Sequence, residues 1–197
     1  LDLRNNPGGV LQPAVDIADG FLESGRIVTT RGRTEEMALS FEASPGDWLP
    51  GVPVVVLVDR GTASASEVLA GALQVYGRAL IVGERTFGKG SVQSVLPLRN
   101  GGGIKLTTAR YFTPSGRSIQ ARGIVPDLEV AWAEHQGGQD RLREADLDRH
   151  INDETDVAED ETPQERLQID FDVDEILAVL EKADLIGGEN PSGESGG

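Results

Sequence analysis

The sequence predicts an α/β fold: a core of parallel strands and helices joined to antiparallel hairpins, followed by an acidic C-terminal extension. Three observations carry this. The apolar run Val52–Val58, a helical stripe within Ala63–Tyr76 and a second apolar run Ala79–Val82 follow one another closely. That order and spacing imply a crossover between parallel strands. Ser91–Leu98 and Ile104–Phe112 alternate around Arg99-Asn100-Gly101-Gly102-Gly103, the signature of a hairpin. Residues 1–133 hold 13 acidic and 13 basic side chains, whereas residues 134–197 hold 20 and 5, so the net charge of −15 belongs to the extension.

The elements follow in order. Leu1–Arg4 reads as the end of a strand, and Asn5-Asn6-Pro7-Gly8-Gly9 as a turn. Val10–Leu22 has helical spacing through Val10, Ala14, Ile17, Ala18 and Phe21 or Leu22. Arg26–Thr30 and Met37–Phe41 alternate as a hairpin would. The β-branched run Val52–Val58 suits a strand buried on both faces. Val68, Leu69, Ala72, Leu73 and Tyr76 form the stripe of the next helix, and Ala79–Val82 is the next buried strand. Thr113-Pro114-Ser115-Gly116-Arg117 is a turn, and Ile124-Val125-Pro126-Asp127 closes the neutral region.

The expected organisation is a core over residues 1–131, a largely flexible acidic linker over 132–170, a helix over 171–186 and a disordered tail over 187–197. Within the linker, Leu142–Ile151 has the spacing of a short helix. Asp172–Leu185 regains a stripe through Val173, Ile176, Leu177, Leu180 and Leu185. Its leading acids suit a helix N-terminus.

Composition narrows the function. The neutral core has no basic footprint for nucleic acid and no basic membrane-facing helix. Without cysteine there are no disulfides, thiolate metal sites or cysteine nucleophiles. No run approaches the roughly 18 apolar residues of a membrane helix.

The chemistry centres on Gly61-Thr62-Ala63-Ser64-Ala65-Ser66-Glu67, at a strand-to-helix turn, and on Phe87-Gly88-Lys89-Gly90. Ser64-Ala65-Ser66-Glu67 fits a capping box, and that structural reading stands beside the catalytic one. A serine at a helix start also lies beside free N–H groups and the positive dipole end. As a nucleophile, Ser64 would have the Ala65 N–H as an oxyanion donor, with a second donor from Gly8 or Gly9. Only His135 and His150 are histidines, both far downstream in acidic sequence, so lysine is the natural base. Lys89, flanked by glycines among apolar strands, fills that place, although a surface turn lysine is the commoner case. Gln93, at an even offset, would share its strand face and could orient the amine.

Five motifs in order carry a resemblance: Leu1-Asp2-Leu3-Arg4-Asn5-Asn6-Pro7-Gly8-Gly9, Val58–Glu67, Gly83–Gly90, Tyr111–Gln120 and Gly123–Asp127. Together they resemble the carboxyl-terminal processing peptidases, or tail-specific proteases, over residues 1 to about 130. The resemblance implies a crotonase-like, ClpP-like core and a Ser–Lys endopeptidase acting near protein C-termini. Ser64 would be the nucleophile, Lys89 the general base and Gln93 its support; Ala65 and a glycine of Gly8-Gly9 would form the oxyanion hole. It implies no metal or organic cofactor. Substrates would be proteins or peptides with apolar C-terminal tails, and a homo-oligomer and a regulatory adaptor are compatible with it. The location would be extracytoplasmic, in the periplasm or cell envelope of a bacterium.

The family's PDZ domain normally precedes this region, and nothing here reads as PDZ. Leu1 opens the chain mid-motif without an initiator methionine, so the expectation is a C-terminal part of the protease core. An aspartate carried by some members eleven positions after the serine is Val75 here. Two other readings stand beside the protease: a non-catalytic scaffold or peptide-binding module, and a crotonase-type acyl-CoA enzyme, which needs no such serine and lysine.

Overall fold

The computed structural model describes residues 1–34, 38–132, 142–147, 151, 171–183 and 185–186. The helices are α1 (Leu11–Asp19), α2 (Ala65–Val75) and α3 (Val173–Lys182). The strands are β1 (Gly25–Gly32), β2 (Leu39–Ala43), β3 (Val54–Val58), β4 (Ala79–Gly83), β5 (Ser91–Pro97), β6 (Gly103–Phe112) and β7 (Leu128–Glu129). One sheet is antiparallel, in the order β2-β1-β6-β5, and the other is parallel, in the order β3-β4-β7. The first residues add to the free edge of β3: Asp2 bridges Leu57 in parallel, and Leu3 N–H donates to Leu57 O at 2.9 Å.

Strand alternation explains why the apolar runs at β3 and β4 are continuous. Val54, Val56, Val58, Ala79 and Ile81 face one cluster, with α1, α2 and β1. Val55, Leu57, Leu80 and Val82 face a second cluster, with Trp132, Leu180 and Ile186. A parallel sheet is normally covered on both faces, and this one is. Trp132 is anchored there by donating its Nε1–H to Val58 O at 2.9 Å. The last helix therefore packs on the core.

Helix α2 is buried from Ala65 to Leu73, so it is a central helix rather than a surface one. Arg78, just beyond it, is wholly buried. It donates to Asp47 Oδ2 at 2.8 Å and to the carbonyls of Phe21, Leu49 and Val52, which ties down the β2–β3 loop.

Two expectations differ from what is seen. The segment read as a helix over 142–151 holds, in its described part, only a 3-10 turn at Glu144–Asp146. Leu142 and Leu147 stay exposed, so among the described residues no apolar stripe holds a longer helix. Strand β7 was not foreseen. Most of the acidic linker, residues 133–141, 148–150 and 152–170, and the tail 187–197 lie outside the described residues.

Candidate active site

Ser64 ends the turn between β3 and α2 with φ 58° and ψ −120°. A non-glycine residue rarely holds a positive φ, and such strain stores about 1–3 kcal/mol. This backbone geometry is unlike that of an ordinary cap serine. A cap serine normally has extended backbone. Here Ser64 makes no side-chain cap hydrogen bond, leaving its Oγ outside the helix ladder. The glutamate half of the box does form, with Ser64 N–H donating to Glu67 Oε2 at 2.8 Å.

Two loops converge on this turn. Asp59 Oδ1 accepts the N–H groups of Asn5 at 2.8 Å and Gly61 at 2.9 Å. Thr62 Oγ1 donates to Leu3 O at 2.8 Å, and Ala63 N–H to Asn6 O at 2.9 Å. These bonds press the Pro7-Gly8-Gly9 turn against Ser64. A Cβ on Gly8, whose φ is +82°, would lie 2.5 Å from Ala63 O, 2.7 Å from Ala65 N and 3.0 Å from Ser64 Cβ. The Gly8 N–H donates to Asn6 Oδ1 at 3.0 Å. The N–H groups of Gly9 and Ala65 take no hydrogen-bond acceptor among the described residues. The structure thus separates the two glycines: Gly8 supplies the close approach and Gly9 the open donor.

The Lys89 turn arrives from the other side. Phe87 N–H donates to Thr62 O at 3.0 Å. Buried Glu67 accepts Gly88 N–H at 2.7 Å, Lys89 N–H at 2.8 Å and the Thr86 hydroxyl. One carboxylate thus binds the main chains of Ser64 and Lys89 together. Burial pushes its pKa up to about 7, against four hydrogen bonds that favour the anion. The Lys89 side chain is partly buried and forms no side-chain ion pair or hydrogen bond with a described residue.

Gln93 is exposed on β5, opposite a bulge in β6: Val92 pairs with Ala109 and Gln93 with Thr107, which leaves Thr108 as the extra residue. No hydrogen bond joins the Gln93 side chain to Lys89. Both histidines lie outside the described residues. Sequence reasoning took Glu67 only for a cap and passed over Asp59, Thr62 and Gln120. Their signal was weak, because each acts through bonds to main chain distant in sequence.

The model for Peptidase family S41 matches residues 1–130. The chain belongs to peptidase family S41. Among S41-type relatives, the carboxy-terminal-processing protease of Bartonella bacilliformis is 49% identical over 154 residues, 77% of this chain and 36% of that protein. The carboxyl-terminal-processing protease of Synechocystis is 54% identical over 132 residues, 66% of this chain and 30% of that protein. The solved photosystem II D1 C-terminal processing protease superposes with a TM-score of 0.62 at 44% identity, covering 66% of this chain and 34% of that one. The chain thus spans about a third of the length of these S41 relatives.

Proposed function

We propose that this chain supplies the catalytic centre of a serine endopeptidase that cleaves proteins near their C-terminal tails. The observation that carries the reading is the strained Ser64 turn bound to the Lys89 turn through Glu67. A hydroxyl held outside its helix by an unfavourable φ is the arrangement of a nucleophile at a strand-to-helix elbow. The names of the S41 relatives support the substrate class.

In the proposed reaction Lys89 Nζ takes the Ser64 hydroxyl proton as Oγ attacks the peptide carbonyl carbon. The oxyanion meets the N–H groups of Ala65 and Gly9, with Gly8 keeping the wall thin enough for approach. The C–N bond then breaks, and the proton on Lys89 passes to the leaving amine. Water attacks the acyl-serine, Lys89 taking its proton, and the acid product leaves Ser64 restored. Gln93 is assigned the support of the Lys89 amine, on the strength of its strand leading directly from the lysine turn.

The core is read as crotonase-like and ClpP-like. Substrates with apolar tails, an extracytoplasmic site in a bacterium, self-association and a regulatory adaptor belong to the same proposal. Cleavage of an unfolded, apolar-tailed protein by the full-length enzyme tests it. Ser64→Ala and Lys89→Ala should each abolish cleavage with melting unchanged. Cleavage that survives either change would sink the mechanism and favour a non-catalytic module.

A further inference from the structure

We propose that Gln120 is a positioning residue for Lys89, and that the segment around Glu144 holds Gln120 in place. The inference rests on the reading of Lys89 as the base.

The three consecutive N–H groups of Gly88, Lys89 and Gly90 all donate to side chains. Glu67 takes the first two, and Gln120 Oε1 takes that of Gly90 at 3.1 Å. Gln120 is wholly buried, so its amide must be satisfied inside the protein. Its Nε2 does so by donating to Glu144 Oε1 at 3.1 Å and Ile151 O at 3.3 Å. Glu144 N–H in turn donates to Phe87 O at 3.1 Å, two residues before the lysine. The Lys89 turn is therefore gripped from α2 by Glu67 and from the extension through Gln120.

Contact between the two turns is tight. A Cβ on Gly90 would lie 2.3 Å from Gln120 N, and one on Gly88 3.1 Å from Ala121 C. Ala121 N–H donates to Gly88 O at 2.8 Å. The Lys89 turn thus has little freedom to move apart from the Gln120 turn. A nucleophile and base must be aligned closely, and a displacement of about 1 Å can lower the rate about 100-fold. Part of the acidic segment is, on this view, a structural component of the site.

The test uses the full-length protein and two readouts, steady-state cleavage and amide exchange at Gly90. Gln120→Leu should lower kcat about tenfold or more with KM within about twofold, and speed Gly90 exchange without moving the protection of β3. Gln120→Glu keeps the Gly90 acceptor but sets a carboxylate against Glu144, and should be similarly impaired. Adding Glu144→Gln to that variant restores a donor–acceptor pair and should recover most of kcat and of Gly90 protection. This exchange of partners is nearly isosteric, so it still decides the question if Gln120→Leu fails to fold. Wild-type kcat and exchange in the single variants overturn the proposal, as does a double variant no better than Gln120→Glu. Absence of Ser64-dependent cleavage in the wild type would instead refute the reading of Lys89, while Gly90 exchange would still report on Gln120.

Discussion

Ser64 and Lys89 donate their main-chain N–H groups to the same atom, Glu67 Oε2, each at 2.8 Å. Two segments distant in sequence are thereby fixed to one buried carboxylate, and its protonation bears on both. Burial pushes Glu67 from the ordinary 4.5 up to about 7. An unfolded chain releases this proton near 4.5, so between that pH and about 7 the folded protein holds a proton the unfolded chain has lost. The stability contributed by this group is full below 4.5 and is lost as pH rises through 7, by about 3 kcal/mol. Urea denaturation from about pH 4 to about pH 8 should show this fall in wild type. It should be missing in Glu67→Gln, and an identical slope in the two proteins would refute the assignment. The glutamine amide also faces N–H donors, so this variant should be less stable near neutral pH by about 1–3 kcal/mol.

On the proposed reading, the strain at Ser64 serves its chemistry and not its fold. Ser64→Ala keeps the positive φ and removes a hydroxyl with no capping bond, so melting should hardly change while cleavage disappears. Ser64→Gly relieves the strain and should also be inactive, yet more stable by about 1 kcal/mol after the extra freedom of the unfolded chain is counted. A glycine variant that melts below the alanine variant would show that the turn stores no strain.

The glycine pair offers a contrast within two residues. A methyl on Gly8 collides with Ala63 O and Ala65 N, whereas one on Gly9 meets nothing within 4 Å. Gly8→Ala should displace the oxyanion wall and lower kcat about 100-fold or more, the scale of one lost oxyanion donor. Gly9→Ala keeps its N–H and should stay within about twofold of wild type. Similar loss in both variants would mean that the turn matters only as a whole. Steady-state kinetics on a single peptide substrate distinguish the cases.

Much of this was legible in the sequence, because local patterning and burial agreed. Val54, Val56 and Val58 face one cluster and Val55 and Leu57 another, so the continuous apolar run reported two covered faces. What escaped was long-range or too short to be periodic. Strand β7 has two residues and depends on Asp127, whose Oδ2 accepts Ile81 N–H at 2.9 Å. Glu67 looked like a cap because its remaining donors, Thr86, Gly88 and Lys89, come from about twenty residues on. An even offset placed Gln93 with Lys89, yet Lys89 precedes β5, whose first residue is Ser91, so strand alternation alone does not relate the two. No pattern of residue types discloses the φ of 58° at Ser64.

Arg78 should not tolerate lysine. Its guanidinium reaches Asp47 and three carbonyls from a fully buried position, a fan of donors that an ammonium cannot reproduce. Burial resists ionisation of Asp47, but the bonds from Arg78 and Leu49 N–H outweigh it and hold its pKa below the ordinary 3.8. The stability contributed by Asp47 is present above that value and lost as pH falls below it. Arg78→Ala strands the carboxylate and should cost about 3–5 kcal/mol, with Arg78→Lys recovering only a minor part. Full recovery by lysine in thermal melts would mean that charge alone, without the fan of bonds, holds the loop.

Helix α3 can be placed by the same logic. The parallel sheet needs cover on its second face, and Leu180, Trp132 and Ile186 supply it. Leu180 is 6% exposed, whereas neighbouring Val179 is 59% exposed. Leu180→Ala should therefore lower stability by about 2–4 kcal/mol, and Val179→Ala by no more than about 0.5 kcal/mol. Were the stripe to pack on a second copy instead, Leu180→Ala would dissociate an oligomer, and its melting would become concentration-dependent. Packing within one chain requires a destabilisation that is independent of protein concentration. Melting curves at two concentrations, read beside sedimentation, separate the two arrangements.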